Sequence, residues 1–142
     1  MNGWFVAHLA ATGAMVGFIW TIQLLSYPMM AAVPEDGFVA YEEAHQRRVT
    51  AVLAVLAPAE LVTAVAVAVV ASDVPAWLTL GAGAILVGIW VATGAYYAPL
   101  PGRLASGFDS DVHRRLVVTN WWRTGAWTLR GAAAIAMVAV VA

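Results

Sequence analysis

The chain has 142 residues, of which 63% are hydrophobic and 11% are charged, and its formal net charge is −1. Because a soluble domain carries roughly 25% charged residues, the composition excludes a soluble globular domain, a disordered chain and a nucleic-acid binder that relies on excess positive charge. The absence of cysteine excludes disulfides and thiolate metal sites. The composition indicates an integral membrane protein.

Four apolar segments are long enough to cross a membrane, which takes about 20 mostly apolar residues. Pro28 and Pro99 stand where the first and third segments should end, and Pro75 suits the first turn of the third. The sequence therefore predicts an all-α, integral membrane four-helix bundle formed by a single domain, residues 1–142. The predicted spans cover about residues 4–27, 49–71, 75–98 and 116–141.

The links between the spans predict an orientation. Residues 72–74 form a short link, so the second and third spans should be antiparallel neighbours. The long links, residues 28–48 and 99–115, carry five of the seven arginines, and by the positive-inside rule they face the cytoplasm while both termini face outside. The absence of lysine beside abundant alanine, valine and arginine indicates a GC-rich bacterial genome. We therefore expect a multi-pass protein of the bacterial inner (cytoplasmic) membrane.

The two halves of the chain match each other weakly at an offset of about 70 residues. Two tandem helical hairpins related by a pseudo-twofold axis would produce such a match. Alternatively, any two membrane hairpins share glycine, aromatic and basic signals at their ends. The matched residues are Trp20 with Trp90, Tyr27 with Tyr97, Phe38 with Phe108 and His45 with His113.

Ionisable residues within a span are the strongest functional indicators, because each costs about 2.5–3.5 kcal/mol at the centre of a membrane. Glu60 lies near the middle of the second span, at a depth between those of Arg123 and Arg130 in the fourth, so an ion pair with one of them is expected. One carboxylate cannot neutralise two guanidinium groups, and an anionic guest would be stabilised by the remaining charge. These three are the candidate catalytic residues. The alternatives are that the pair only fixes helix register and that Arg123 reaches the membrane interface.

One face of the fourth span carries Asn120, Arg123, Trp127 and Arg130. The functional interpretation is a flat aromatic guest that stacks on Trp127 while an arginine holds its oxygen. The alternative is cation–π and hydrogen-bond packing around Glu60. The candidate ligand-binding residues are Asn120, Trp127, Gln23 and Tyr27.

Two acid–histidine pairs suggest a metal site. Glu42 stands three residues before His45, and Asp109 stands four residues before His113. Under the duplication the two pairs would lie around the twofold axis, where two carboxylates and two imidazoles would bind iron, zinc or manganese. The alternatives are that Asp109 caps a helix and that the histidines lie among lipid headgroups. The cofactor is therefore either such a metal ion or none.

Four stretches of the chain carry a resemblance to known proteins: Tyr27-Pro28, Phe38-x-x-Tyr41-x-x-x-His45, Pro58-x-Glu60 and Asn120-Trp121-Trp122-Arg123-Thr124 with Arg130. Together they resemble small bacterial four-helix membrane proteins and, more distantly, the anthrone oxygenase-like family of membrane proteins. The resemblance covers most of the chain. It implies a four-helix bundle that oxidises an aromatic, polyketide-like substrate without a bound organic cofactor, with an arginine and tryptophan pocket stabilising the enolate. It assigns no catalytic residue.

The leading functional hypothesis is therefore a membrane protein that binds an anionic lipophilic or aromatic small molecule within its bundle, with oxidoreductase chemistry as an extension. A non-catalytic accessory subunit of a larger membrane complex is the first alternative. A small proton-coupled transporter that uses Glu60 is the second. The expected partners are membrane lipid, the anionic ligand, and either a second copy of the chain or a larger complex, without nucleic acid.

Overall fold

A computed structural model describes residues 2–142 as helices joined by short links, with no strand in that range. All four long helices are long and apolar enough to cross a membrane. The predicted all-α chain with four apolar helices is thereby confirmed. The helices are α1 (Gly3–Met30), α2 (Glu35–Val70), α3 (Ala76–Leu104) and α4 (Ser110–Val141).

The helices extend beyond the predicted apolar spans at one end of the bundle. Helix α2 begins at Glu35 rather than near residue 49, and α4 begins at Ser110 rather than near residue 116. Helix formation depends on backbone propensity and on caps, not on hydropathy, so polar lead-ins can remain helical. The non-helical loop after α1 is correspondingly short, and we call the end of the bundle with residues 31–34 and 105–109 the loop end.

Local signals account for the helix starts. Glu35 and Asp36 lie in the first turn of α2, where negative charge interacts favourably with the helix dipole. Asp109 caps α4, because its Oδ1 accepts hydrogen bonds from the backbone nitrogens of Asp111 and Val112 at 2.9 and 3.0 Å. The preceding loop turns at Gly107, whose φ of 142° suits glycine.

Helices α1 and α3 each contain one π-helical turn. The turns cover Ile22–Ser26 and Thr93–Tyr97, and Pro28 and Pro99 follow them closely. A π-turn is rare and occurs frequently at functional sites. The two turns start 71 residues apart, so both halves of the chain carry the same irregularity at nearly equivalent positions.

Helices α1 and α4 make the most extensive contacts in the bundle. Helix α1 packs along both α2 and α4, and α3 packs along α4. The short link between α2 and α3 is present, but these two helices approach each other closely at few positions. The two helices that were expected to be antiparallel neighbours therefore pack against each other over only a small part of their length. The space between them is available for a cavity.

Polar and apolar side chains are distributed in the reverse of the soluble pattern. Glu60 and Arg130 are buried, whereas the exposed fractions of Val69, Leu80 and Trp122 are 79%, 72% and 81%. An apolar exterior around buried ionisable groups is typical of a protein whose surface faces lipid.

Gly131 marks a close approach of α1 and α4. A Cβ atom at Gly131 would lie 3.2 Å from Cγ2 of Val16. We expect Gly131→Leu to lower the free energy of unfolding by about 1–3 kcal/mol, because a larger side chain must displace α1. Thermal unfolding in mild detergent measures this loss. Gly13→Leu is the control, since a Cβ at Gly13 meets nothing within 4 Å, and an equal loss in both variants would contradict the prediction.

Candidate anion-binding cavity

The buried acid in α2 forms an ion pair with one of the two arginines of α4. Arg130 donates through Nη2 to Oε1 of Glu60 and through Nη1 to the backbone carbonyl of Ala82 in α3. Both side chains are almost completely buried. The pair therefore joins three helices and neutralises its own charges.

Polar residues of α1 and α2 surround this pair. The hydroxyl of Thr12 donates to Oε1 of Glu60 at 3.4 Å. Nδ1 of His8 lies 3.2 Å from Oγ1 of Thr63 and 3.4 Å from Oγ1 of Thr12. Sequence reasoning did not include these three residues among the site candidates. The available signal was spacing, since His8 and Thr12 lie four residues apart on one face of α1.

Trp127 belongs to the same cluster. The centre of its ring lies 5.7 Å from the guanidinium carbon of Arg130, and its side chain is 0% exposed. It packs among apolar residues of α1 and α3, including Met15 and Leu86. The arrangement corresponds to the packing alternative rather than to a ring that is open to a guest.

Arg123 has no acidic partner among residues 2–142. Its Nη1 donates to Oδ1 of Asn120 at 3.1 Å, and its guanidinium carbon lies 4.0 Å above the ring of Tyr97 in α3. The amide of Asn120 donates in turn to Oε1 of Gln23 at 2.7 Å. Asn120 and Gln23, both candidate ligand-binding residues, thus hold Arg123 in place from α4 and α1. The side chain of Arg123 is buried but carries an unneutralised positive charge.

A cavity of about 270 Å³ opens beside Arg123, in the space between α2 and α3. Its volume is near the lower end of the roughly 300–1,000 Å³ range of small-molecule pockets. Four aromatic rings line it, and so do six polar or charged side chains. The aromatic residues are Phe18, Tyr27, Trp90 and Tyr97, and the polar residues are Glu42, His45, Gln46, Thr50, Thr93 and Arg123.

The candidate residues therefore divide between two places. Arg123 and Tyr27 line the cavity, whereas Glu60, Arg130 and Trp127 form the buried ion-pair cluster. The ring beside the free cation belongs to Tyr97 and not to Trp127. Sequence reasoning paired Tyr97 with Tyr27 in the internal repeat but did not assign it to a site.

A second depression, of about 510 Å³, lies on the outer surface between α3 and α4. Gly88, Ala92 and Ala126 form part of its apolar floor, and Arg123 lines it as well. Arg123 thus lies between the internal cavity and the apolar exterior of the bundle.

The four predicted metal ligands do not come together. Asp109 is exposed and caps α4, and Nε2 of His113 lies 2.9 Å from the backbone carbonyl of Tyr27. Glu42 and His45 instead line the cavity. No group of three or more histidine, aspartate or glutamate side chains between residues 2 and 142 is placed to hold a metal ion, so these residues do not fit the predicted metal site.

Comparisons of the chain with protein-family models, curated proteins and solved structures gave no match. The fold alone defines the class of this protein, which has four long helices, each long and apolar enough to cross a membrane.

Proposed function

We propose that this protein is an integral membrane protein that binds an anionic, lipophilic small molecule in the cavity beside Arg123. The observation that carries the proposal is the buried guanidinium of Arg123, which has no acidic partner among residues 2–142 and lines a cavity with aromatic walls. An uncompensated charge is costly in an apolar interior, and a carboxylate, phosphate or phenolate would compensate it through charge-assisted hydrogen bonds. The guanidinium of Arg123 would bind the anionic group of the ligand, and the aromatic walls of the cavity would contact its apolar part.

The membrane assignment rests on the four apolar helices and on their exposed apolar side chains. We propose that the loop end faces the cytoplasm of a bacterial cell, because the arginines of the links gather there. The repeated π-turns support tandem hairpins related by a pseudo-twofold axis. In this placement the cavity would lie in the cytoplasmic half of the bilayer.

The outer depression that also touches Arg123 supports a ligand from the membrane. A molecule dissolved in lipid would first contact the mostly apolar surface between α3 and α4, and the guanidinium of Arg123 lies at that same surface. An acyl or aromatic body would stay in apolar surroundings while its anionic end approached the guanidinium. The ligand class that suits this route is therefore lipophilic rather than freely water-soluble.

Oxidation of the bound molecule, which the family resemblance implies, would be a catalytic extension of binding. In that case Arg123 would stabilise the enolate oxygen of the substrate by charge. The transporter alternative needs Glu60 to exchange a proton, and the ion pair between Glu60 and Arg130 supports a structural role more directly.

Binding of defined anions tests the proposal. The probes are decanoate and 2-naphthoate, with neutral 1-decanol for comparison, in equilibrium dialysis against the protein in lipid nanodiscs and against empty nanodiscs. We expect Arg123→Gln to weaken binding of the anions about tenfold, because a hydrogen bond to a charged group contributes about 1.5–3 kcal/mol. Binding of 1-decanol should change little.

Arg114→Gln is the matched control, because it removes the same charge from a residue whose side chain is 75% exposed. An equal loss in both variants would show that the surface charge, not the cavity, attracts the anions. Absence of saturable anion binding to the natural protein would contradict the proposal and favour the accessory-subunit alternative.

A further inference from the structure

Five buried side-chain atoms lack a hydrogen-bond partner within residues 2–142, and they fall into two groups. Three belong to the ion-pair cluster of Glu60, Trp127 and Arg130. The other two are Nε of Arg123 and Oε2 of Glu42, and both of these residues line the internal cavity. One is a hydrogen-bond donor and the other is an acceptor.

The acceptor is held in a defined position. Glu42 is 1% exposed, and its Oε1 accepts a hydrogen bond from Nε2 of Gln46 at 2.9 Å. The same Nε2 donates to the backbone carbonyl of Pro101 in α3 at 2.9 Å. Gln46 is therefore anchored to two helices, and it leaves only Oε2 of Glu42 without a partner. A buried carboxylate oxygen that accepts no hydrogen bond is costly.

The two unpartnered groups are well separated along the bundle. Glu42 stands 18 residues before Glu60, and Arg123 stands 7 residues before Arg130, while Glu60 and Arg130 meet in an ion pair. Since α2 and α4 run in the same direction, Glu42 lies closer to the loop end by eleven residues, or about 16 Å at the helical rise of about 1.5 Å per residue. The cavity that both residues line also has apolar and aromatic walls, which include Phe18 and Trp90.

We propose that Glu42 is the second polar contact of the ligand, so that the cavity selects an elongated lipophile with an anionic group at one end and a hydrogen-bond donor at the other. The anionic group binds Arg123, and a hydroxyl or amine N–H at the remote end donates to Oε2 of Glu42. This inference rests on the proposed anion binding at Arg123 and adds the chemistry of the opposite end. It makes Glu42 a specificity-determining residue.

Pairs of fatty acids that differ only at the remote end test the inference. Equilibrium dialysis with the protein in nanodiscs compares octanoate, decanoate and dodecanoate with their ω-hydroxy derivatives, after subtraction of partition into empty nanodiscs. We expect at least one hydroxy acid to bind the natural protein about tenfold more tightly than its parent. Equal affinities of parent and hydroxy acid at every length would overturn the inference, while Arg123-dependent binding of the parents would leave the proposed function intact.

Glu42→Gln sharpens the test because it should reverse the preference. Gln46 would still donate to the remaining carbonyl oxygen of residue 42, which directs the new amide N–H groups to the position of Oε2. The variant should lose the preference for 10-hydroxydecanoate and favour monomethyl decanedioate, whose remote ester is an acceptor. Glu43→Gln, at an exposed neighbouring position, should leave the preference unchanged.

Retention of the hydroxy-acid preference in folded Glu42→Gln protein would overturn the role of Glu42. If that variant does not fold, the ligand pairs measured on the natural protein decide the inference alone. An equal loss of the hydroxy-acid preference in Glu43→Gln and Glu42→Gln would also overturn the inference. The preference would then depend on the negative charge at the loop end and not on a contact inside the cavity.

Discussion

Replacement of Arg130 by alanine is expected to lower the free energy of unfolding by about 3–5 kcal/mol, the usual cost of removing one member of a buried ion pair. The carboxylate of Glu60 would remain buried without its cation, and the carbonyl of Ala82 would lose the hydrogen bond from the guanidinium. Because the pair connects α2, α3 and α4, the loss should affect the whole bundle. Denaturant unfolding in mild detergent, followed by circular dichroism, measures it.

The double variant Glu60→Leu/Arg130→Met is the informative control. It removes both charges and leaves apolar side chains of similar size, so most of the lost stability should return. Arg114→Ala, which breaks the exposed pair with Asp111, should change stability by less than about 1 kcal/mol. A double variant no more stable than Arg130→Ala would contradict the ion-pair explanation.

The Arg130→Ala variant also tests the catalytic role that the sequence suggested for Arg130. If Arg130→Ala protein folds and keeps its anion binding, the pair is structural and Arg123 is the binding arginine. If folded Arg130→Ala protein and the double variant Glu60→Leu/Arg130→Met both lose anion binding, Arg130 instead belongs to the anion-binding site.

Trp127→Ala is the second change with a large expected effect, about 3–5 kcal/mol of unfolding free energy. Trp127 is the largest of the fully buried side chains, and its removal would leave a cavity between α1, α3 and α4. Thermal unfolding in detergent measures the loss. The result would be contradicted by an alanine variant as stable as the natural protein, since that would require an exposed or loosely packed ring.

Trp127→Phe separates packing from ligand contact. Nε1 of Trp127 has no hydrogen-bond partner among residues 2–142, so phenylalanine loses no hydrogen bond. It loses only part of the ring volume, and the expected cost is about 1.5 kcal/mol or less. Anion affinity should stay within about twofold of the natural protein, because Tyr97 is the ring that contacts Arg123. A clear loss of affinity in stable Trp127→Phe protein would support the earlier hypothesis that a guest stacks on Trp127.

Several features of the fold could be predicted from local sequence because they depend on local chemistry. Runs of apolar residues and prolines placed the four spans, and the helices continue past these spans as polar extensions at the loop end. Those extensions are helical for reasons that hydropathy does not measure, such as the Asp109 cap. The cap by Asp109 was one of the alternatives that the sequence offered. The depth of Glu60 between two arginines followed from helical rise alone.

The composition of the site could be predicted only in part. Residue spacing placed Asn120, Arg123, Trp127 and Arg130 on one face of α4, but a shared face does not show which residue contacts a cavity. Glu42 and His45 were selected for a metal site, and the structure places them beside the cavity instead. The proposed grouping with Asp109 and His113 required two helix ends to converge, which no local pattern specifies.

The sequence by itself determined the class of this protein, its four helices and the need for a buried pair, because hydropathy, helical rise and charge count are properties of single segments. Only the tertiary structure decided that Glu60 pairs with Arg130 and that Arg123 keeps its charge beside a cavity. Helix rotation and the sparse packing between α2 and α3 govern that choice, and both arise from contacts between segments distant in the chain. The same contacts leave Arg123 and Glu42 facing one cavity from different helices.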